Sequence, residues 1–180
     1  PFGDVNTVPW AQAARVGAKL CYNRGFVAGH FDGHQDVAKG EFGIQCSGQG
    51  AMWRDVTAAD IAATLWGFTD INQVNWAQAN RAAERLCATA TPGFAGGHFN
   101  GQMRDGRFGL FCYRDGAHWF DATDAELAAT GFGFPTPRLD DVLWAQAARA
   151  AVGFCRGKGF SGGFMNGHQV PGKYGVVCQK

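Results

Sequence analysis

Three segments of this chain carry side chains suited to binding chemistry. They read Gly29-His30-Phe31-Asp32-Gly33-His34-Gln35, Gly97-His98-Phe99-Asn100-Gly101-Gln102-Met103 and Gly163-Phe164-Met165-Asn166-Gly167-His168-Gln169. In each, planar polar groups with fixed donors and acceptors flank an Asp-Gly or Asn-Gly pair beside an aromatic or methionine side chain. Sugars offer hydroxyls and apolar C–H faces, and such a shallow mixed surface answers both. The candidate ligand-binding residues are therefore His30, Asp32, His34 and Gln35, then His98, Asn100 and Gln102, then Asn166, His168 and Gln169. Three related sites add avidity where one glycan reaches several at once.

A structural reading stands beside this one. Asp32, Asn100 and Asn166 are the residue types that a two-residue turn uses for its own backbone, and that role is the first expectation for them. Catalysis is a second alternative. Glycoside cleavage uses a pair of carboxylates, and the first segment alone concentrates Asp32, Asp36 and Glu41 near His34. No nucleophile elbow or Ser-His-Asp order accompanies them. A non-catalytic structural or toxin-like protein is a third class, without a positive signal. No metal site is expected: His30 and His34 straddle a turn, but the second segment keeps only His98 and the third only His168. No acidic loop recurs for calcium, and no cofactor is expected.

The elements that hold these segments come three times. Trp10-Ala11-Gln12-Ala13-Ala14-Arg15 returns as Trp76-Ala77-Gln78-Ala79-Asn80-Arg81 and as Trp144-Ala145-Gln146-Ala147-Ala148-Arg149. A cysteine follows each (Cys21, Cys87, Cys155), and a second closes each copy (Cys46, Cys112, Cys178). Self-similarity of this kind decides architecture before any other signal. The extra residues of the copies fall around Val37-Ala38 and Thr91-Pro92, between elements, where length varies freely. The units are 1–66, 67–132 and 133–180.

Each unit predicts a helix plus a three-stranded meander, an α+β fold with one bridge per unit: Cys21–Cys46, Cys87–Cys112 and Cys155–Cys178. Asn6, Asn72 and Asp140 are the expected N-caps, with Pro9 in the first turn. Gly25-Phe26, Gly93-Phe94 and Gly159-Phe160 mark the helix exits. A short strand runs Val27 to Phe31, with Ala95 to Phe99 and Ser161 to Met165 matching it. The Asp-Gly or Asn-Gly pair then forms a hairpin, and a further turn leads to a last strand ending at the second cysteine. Trp10, Trp76 and Trp144 are expected as core anchors, Trp53 and Trp119 as core too. The Gln and Arg of the repeated motif brace a neighbouring unit. Trp53-Arg54-Asp55-Val56-Thr57 and Trp119-Phe120-Asp121-Ala122-Thr123 read as connectors to a second helix, opened by Thr57 with Asp60 and Thr123 with Glu126 at capping-box spacing. The third unit has no such connector, and Pro1-Phe2 resembles the end of one. The units form either a nearly closed pseudo-threefold arrangement or an open row.

Composition limits the partners. Of 180 residues, 46% are apolar and 17% charged, which argues for a packed core. The formal net charge is +1 and the cations are scattered, so nucleic acid is not an expected partner. No apolar run reaches the length of a bilayer span. Paired cysteines and a chain beginning at Pro1-Phe2 fit a mature secreted, extracellular product. Tandem disulfide-bearing repeats with Gly, Trp, Asn and His near turns resemble secreted lectins in general style. The expected partners are glycans or a cell-surface polysaccharide.

Overall fold

The computed structural model describes residues 3–48, 50–90 and 93–180. The expectations for Pro1-Phe2 and for Thr91-Pro92 lie outside the described residues. The fold is mixed α+β, with helices packed on small antiparallel sheets and three disulfides: Cys21–Cys46, Cys87–Cys112 and Cys155–Cys178. The pairing follows the expectation in all three cases.

Helices α1 (Trp10–Tyr22), α3 (Trp76–Ala90) and α5 (Trp144–Gly157) begin at the tryptophan of each repeated motif. Hairpins follow them: β1 (Ala28–Asp36) with β2 (Glu41–Ser47), β4 (Gly96–Arg104) with β5 (Arg107–Tyr113), and β7 (Gly162–Val170) with β8 (Lys173–Gln179). The connector segments are strands β3 (Ala51–Thr57) and β6 (Ala117–Thr123), each running into a short helix, α2 (Ala58–Ala62) and α4 (Asp124–Ala128). Thr57 with Asp60 and Thr123 with Glu126 form complete capping boxes, so the spacing identified both starts.

The three-stranded meander is not what forms. Its first two expected strands are one nine-residue strand in each case, and the third strand of a sheet comes from the preceding connector. The sheet orders are β1-β2, β3-β5-β4 and β6-β8-β7. The reason lies at the Asp-Gly or Asn-Gly pair. Pairing runs Phe31 with Ile44 and resumes at Gln35 with Phe42, so the pair sits in a bulge. The same register shift separates Phe99 from Met103 and Met165 from Gln169. A bulge absorbs the left-handed residue without reversing the chain. The reversal happens further on, at Lys39-Gly40, Asp105-Gly106 and Pro171-Gly172, where the three glycines have φ of 67°, 70° and 70°.

The helix starts also differ from expectation. Asn6 and Asn72 lie outside the helices, and each donates its backbone N–H and its side-chain amide to a carboxylate two residues before it, Asp4 and Asp70. Pro9 is itself the N-cap of α1, three residues after the expected cap at Asn6. At α3 the cap is Asn75, whose side-chain oxygen accepts from the Ala77 N–H at 2.8 Å. Asp140 instead pairs with Arg81, 59 residues away in the sequence, at 2.8 and 3.0 Å.

Alanine lets each helix lie close to backbone on two sides. Ala77, Ala79, Ala82 and Ala83 of α3 are fully buried. The helix α1 packs on β1 and β4, α3 on β4 and β7, and α5 on β7 and back on β1. The same three-way relation recurs in the hydrogen bonds. The indole N–H of Trp10 donates to the Val74 carbonyl, Trp76 to Val142 and Trp144 to Val8, each at 2.8 Å. The core therefore sits between helices and sheets that lie far apart in the sequence.

Candidate functional site

Eight of the ten candidate residues lie in the bulges or next to them, with His30 and His98 on the regular strand just before, and the bulges use several of these internally. The Asp32 carboxylate accepts the His34 N–H, the Asn100 side-chain oxygen accepts from Gln102 and that of Asn166 from His168, all at 2.9 Å. Each side chain stands over a glycine of the paired strand. A Cβ on Gly43, Gly109 or Gly175 would come within 2.0, 2.5 or 2.3 Å of it. Asp32 is almost buried, Asn100 and Asn166 wholly so. The backbone role foreseen for these three is the one the geometry gives them.

An arginine from the repeated helix motif clamps each bulge. Arg15 donates to the Gly101 carbonyl, Arg81 to Gly167 and Arg149 to Gly33. The glycines have φ of 77°, 83° and 82°, so a side chain there would be strained as well as crowded. Arg81 also holds Asp140, and that hydrogen bond keeps the Asp140 carboxyl below the usual carboxylate range. The expected bracing by arginine is thus present. Gln78 and Gln146 brace the approach to their own helices instead, at the Gly67 and Gly133 carbonyls. Gln35 and Gln169 are clasps as well. Gln35 accepts from the Val5 N–H and donates to the Gly3 carbonyl, and Gln169 does the same with Leu139 and Pro137.

His30 and His98 meet in the centre, next to Phe164. The ring centroids are 5.2 Å apart for His30–His98, 5.0 Å for His98–Phe164 and 5.8 Å for His30–Phe164, all edge-on. The Phe99 carbonyl can only accept, so Nδ1 of His98 carries the proton and Nε2 accepts from the Tyr113 hydroxyl at 2.7 Å. Burial pushes the pKa of His30 down to about 4 and that of His98 to about 3. Above this cluster Trp10, Trp76 and Trp144 surround a cavity of about 80 Å³.

A pH dependence follows. Unfolded, both histidines titrate near 6.5; folded, they stay neutral to about 4 and about 3. Between those limits the unfolded chain binds more protons, so stability rises with pH and is lost as pH falls below 6.5. His30→Phe, which copies Phe164, should move the acid-unfolding midpoint to lower pH. A circular-dichroism titration measures this, and an unchanged acid limb would contradict it.

The exposed candidates are Gln102 and His168, with His34 half-buried, and the structure sets the two exposed ones beside residues the sequence reading placed elsewhere. Trp53 is 39% exposed and Trp119 half-buried, so neither is the core residue expected. Each indole N–H donates to the carboxylate two residues on, Trp53 to Asp55 and Trp119 to Asp121, at 3.1 Å. Trp119 packs edge-on against His168 at 5.6 Å. Asp55, Gln102, Arg104 and Arg107 line an open polar cleft of about 240 Å³. The Trp-x-Asp spacing was legible in both connectors as two side chains on one face of a strand, once those segments are strands.

The first sheet has no such corner among the described residues, because no strand flanks β2 on that side. His34 packs edge-on against Phe132 instead. The carboxylates weighed for hydrolysis do not flank a common cleft: Asp32 is under the bulge, Asp36 pairs with Lys39 at 3.2 Å, and Glu41 is exposed at the hairpin end. No group of three or more His, Cys, Asp or Glu among the described residues is placed to hold a metal ion. Among the described residues no helix is long and apolar enough to cross a membrane. Three disulfides point to an extracellular or otherwise oxidising environment. No protein-family model, characterised protein or solved structure matches the chain.

Proposed function

We propose that the chain is a secreted carbohydrate-binding protein built from three copies of one repeat closed around a central axis. Glycan is bound at two equivalent sheet corners, one around Trp53, Asp55 and Gln102 and the other around Trp119, Asp121 and His168. The observation that carries this reading is the repeated Trp–Asp pair, held by the same 3.1 Å hydrogen bond beside an exposed bulge residue. The indole offers a face for sugar C–H groups. The carboxylate and the amide or imidazole accept and donate to hydroxyls, and Arg107 or Lys173 adds further donors nearby. The central cavity is less suited: its walls are mostly carbon, and the three indole N–H groups are already committed to carbonyls.

A glycan array followed by isothermal titration tests this. Two binding events per chain are expected, without turnover. Trp53→Ala and Trp119→Ala should each remove one event, and the double variant both. Asp55→Asn should weaken its own site about tenfold, close to 1.4 kcal/mol, as expected for a charge-assisted hydrogen bond. Binding that survives the double tryptophan variant would overturn the assignment.

A further inference from the structure

The two corners share their Trp–Asp pair but not their charge. On the second sheet Trp53 and Asp55 of β3 lie on the same face as Phe111, Gly109 and Arg107 of β5, and Arg104 of β4 is directly opposite Arg107. Two guanidinium groups set side by side across strands repel one another. The hairpin itself does not require them. The same paired positions hold Asp36 and Glu41 in the first hairpin, Val170 and Lys173 in the third.

Neither arginine is firmly committed elsewhere among the described residues. Arg104 reaches Asp105 at 3.3 Å, but both side chains are almost wholly exposed, and a surface pair of this kind holds its partners weakly. Asp60 lies within the field of Arg107, yet its carboxylate is taken up by the Thr57 capping box. Both arginines line the polar cleft of about 240 Å³, together with Asp55, Gln102, Asp105 and Gly109.

The cleft has two unlike ends. Asp55 is opposite Gly109, and Arg107 is two residues away along β5, a rise of about 7 Å, of the order of one sugar ring. At one end the side chains of Asp55 and Gln102 suit hydroxyls. At the other are two planar guanidiniums, which grip a carboxylate or sulfate through parallel N–H donors as a lysine ammonium does not. The third corner lacks that second end. Val170 and Lys173 stand where the arginines would be, Asp121 is the carboxylate of its Trp–Asp pair, and the Glu84 carboxyl adds negative charge near His168.

Resting on the glycan reading, we propose that the corner at Trp53 selects an acidic sugar, its carboxylate or sulfate seated between Arg104 and Arg107, while the corner at Trp119 takes a neutral one. Asp55 then orients the ring, since the acidic group is repelled from that end of the cleft and drawn to the other.

The test isolates each corner by removing the other tryptophan. An array of matched neutral, uronate-bearing and sulfated oligosaccharides is probed with the Trp119→Ala and the Trp53→Ala proteins. Trp119→Ala protein should bind acidic glycans at least tenfold better than their neutral counterparts, and added salt should narrow that gap. Trp53→Ala protein should show no such preference. Arg104→Gln with Arg107→Gln should abolish the preference at Trp53, and Val170→Arg with Lys173→Arg should create one at Trp119. Preference for both acidic series would make charge the feature recognised; preference for uronates alone would make it the planar carboxylate. Equal binding of acidic and neutral glycans at Trp53, or a preference that survives loss of both arginines, would overturn this proposal and leave the glycan reading standing. Absence of any bound glycan on either protein would overturn both.

Discussion

Trp76→Ala should destabilise the protein by about 3–5 kcal/mol, the range for removing a large aromatic side chain from a core. Trp76 is 7% exposed and lies among Leu139, Val142, Met165 and the other residues of the third unit's core. Its indole N–H also satisfies the Val142 carbonyl. Two costs therefore add: a cavity between units, and an acceptor left without its donor. Trp76→Phe isolates the second of these and should cost about 1–3 kcal/mol. Trp53→Ala, at the surface, should cost far less, so the pair separates a core tryptophan from a platform. Urea unfolding followed by circular dichroism gives both numbers. A Trp76→Ala loss below about 1 kcal/mol would mean that the units do not depend on this contact.

Removing the Cys87–Cys112 bridge by Cys87→Ala with Cys112→Ala should cost about 3 kcal/mol on chain-entropy grounds, for residues 25 apart. Both cysteines are fully buried, so lost packing adds to the entropic term. The Cys21–Cys46 bridge spans the same separation, but Cys46 lies on the open strand β2 and is half-exposed. Mild thiol treatment should therefore reduce Cys21–Cys46 first, well before the other two. Timed alkylation with peptide mapping reads the order. Simultaneous loss of all three would contradict it.

Much of the local structure was legible in the sequence. The repeated motif marked each long helix, though it starts at the tryptophan and not after the cap expected four residues earlier; each Thr-x-x-acid marked a capping box, and the position of the cysteines within each copy gave the three bridges. What failed was the identity of the turn. Asp-Gly and Asn-Gly supply a left-handed glycine, and both a hairpin and a bulge want one. The choice was made by Gly43, Gly109 and Gly175 on the facing strand, which leave room for the Asp or Asn side chain. That is a contact between residues separated in sequence, which a local reading does not weigh. The same limit hid the corner of the candidate site. Trp53 and Asp55 belong by sequence to the first unit, yet they pair in the second sheet. The exposed ends of the predicted site, Gln102 and His168, were visible; their companions became so only when the connector was a strand. His30 and His98 were chosen for their chemistry, but burial makes them part of the packing.

The handing forward of β3 and β6 has a mechanical consequence. A sheet completed by the preceding segment cannot melt without pulling on the unit before it, and helices that each rest on two sheets pass the load onward. Hydrogen exchange should accordingly show the second and third sheets opening together with the whole molecule, as one cooperative block. The hairpin of β1 and β2, which no third strand flanks among the described residues, is where the molecule should first come ajar.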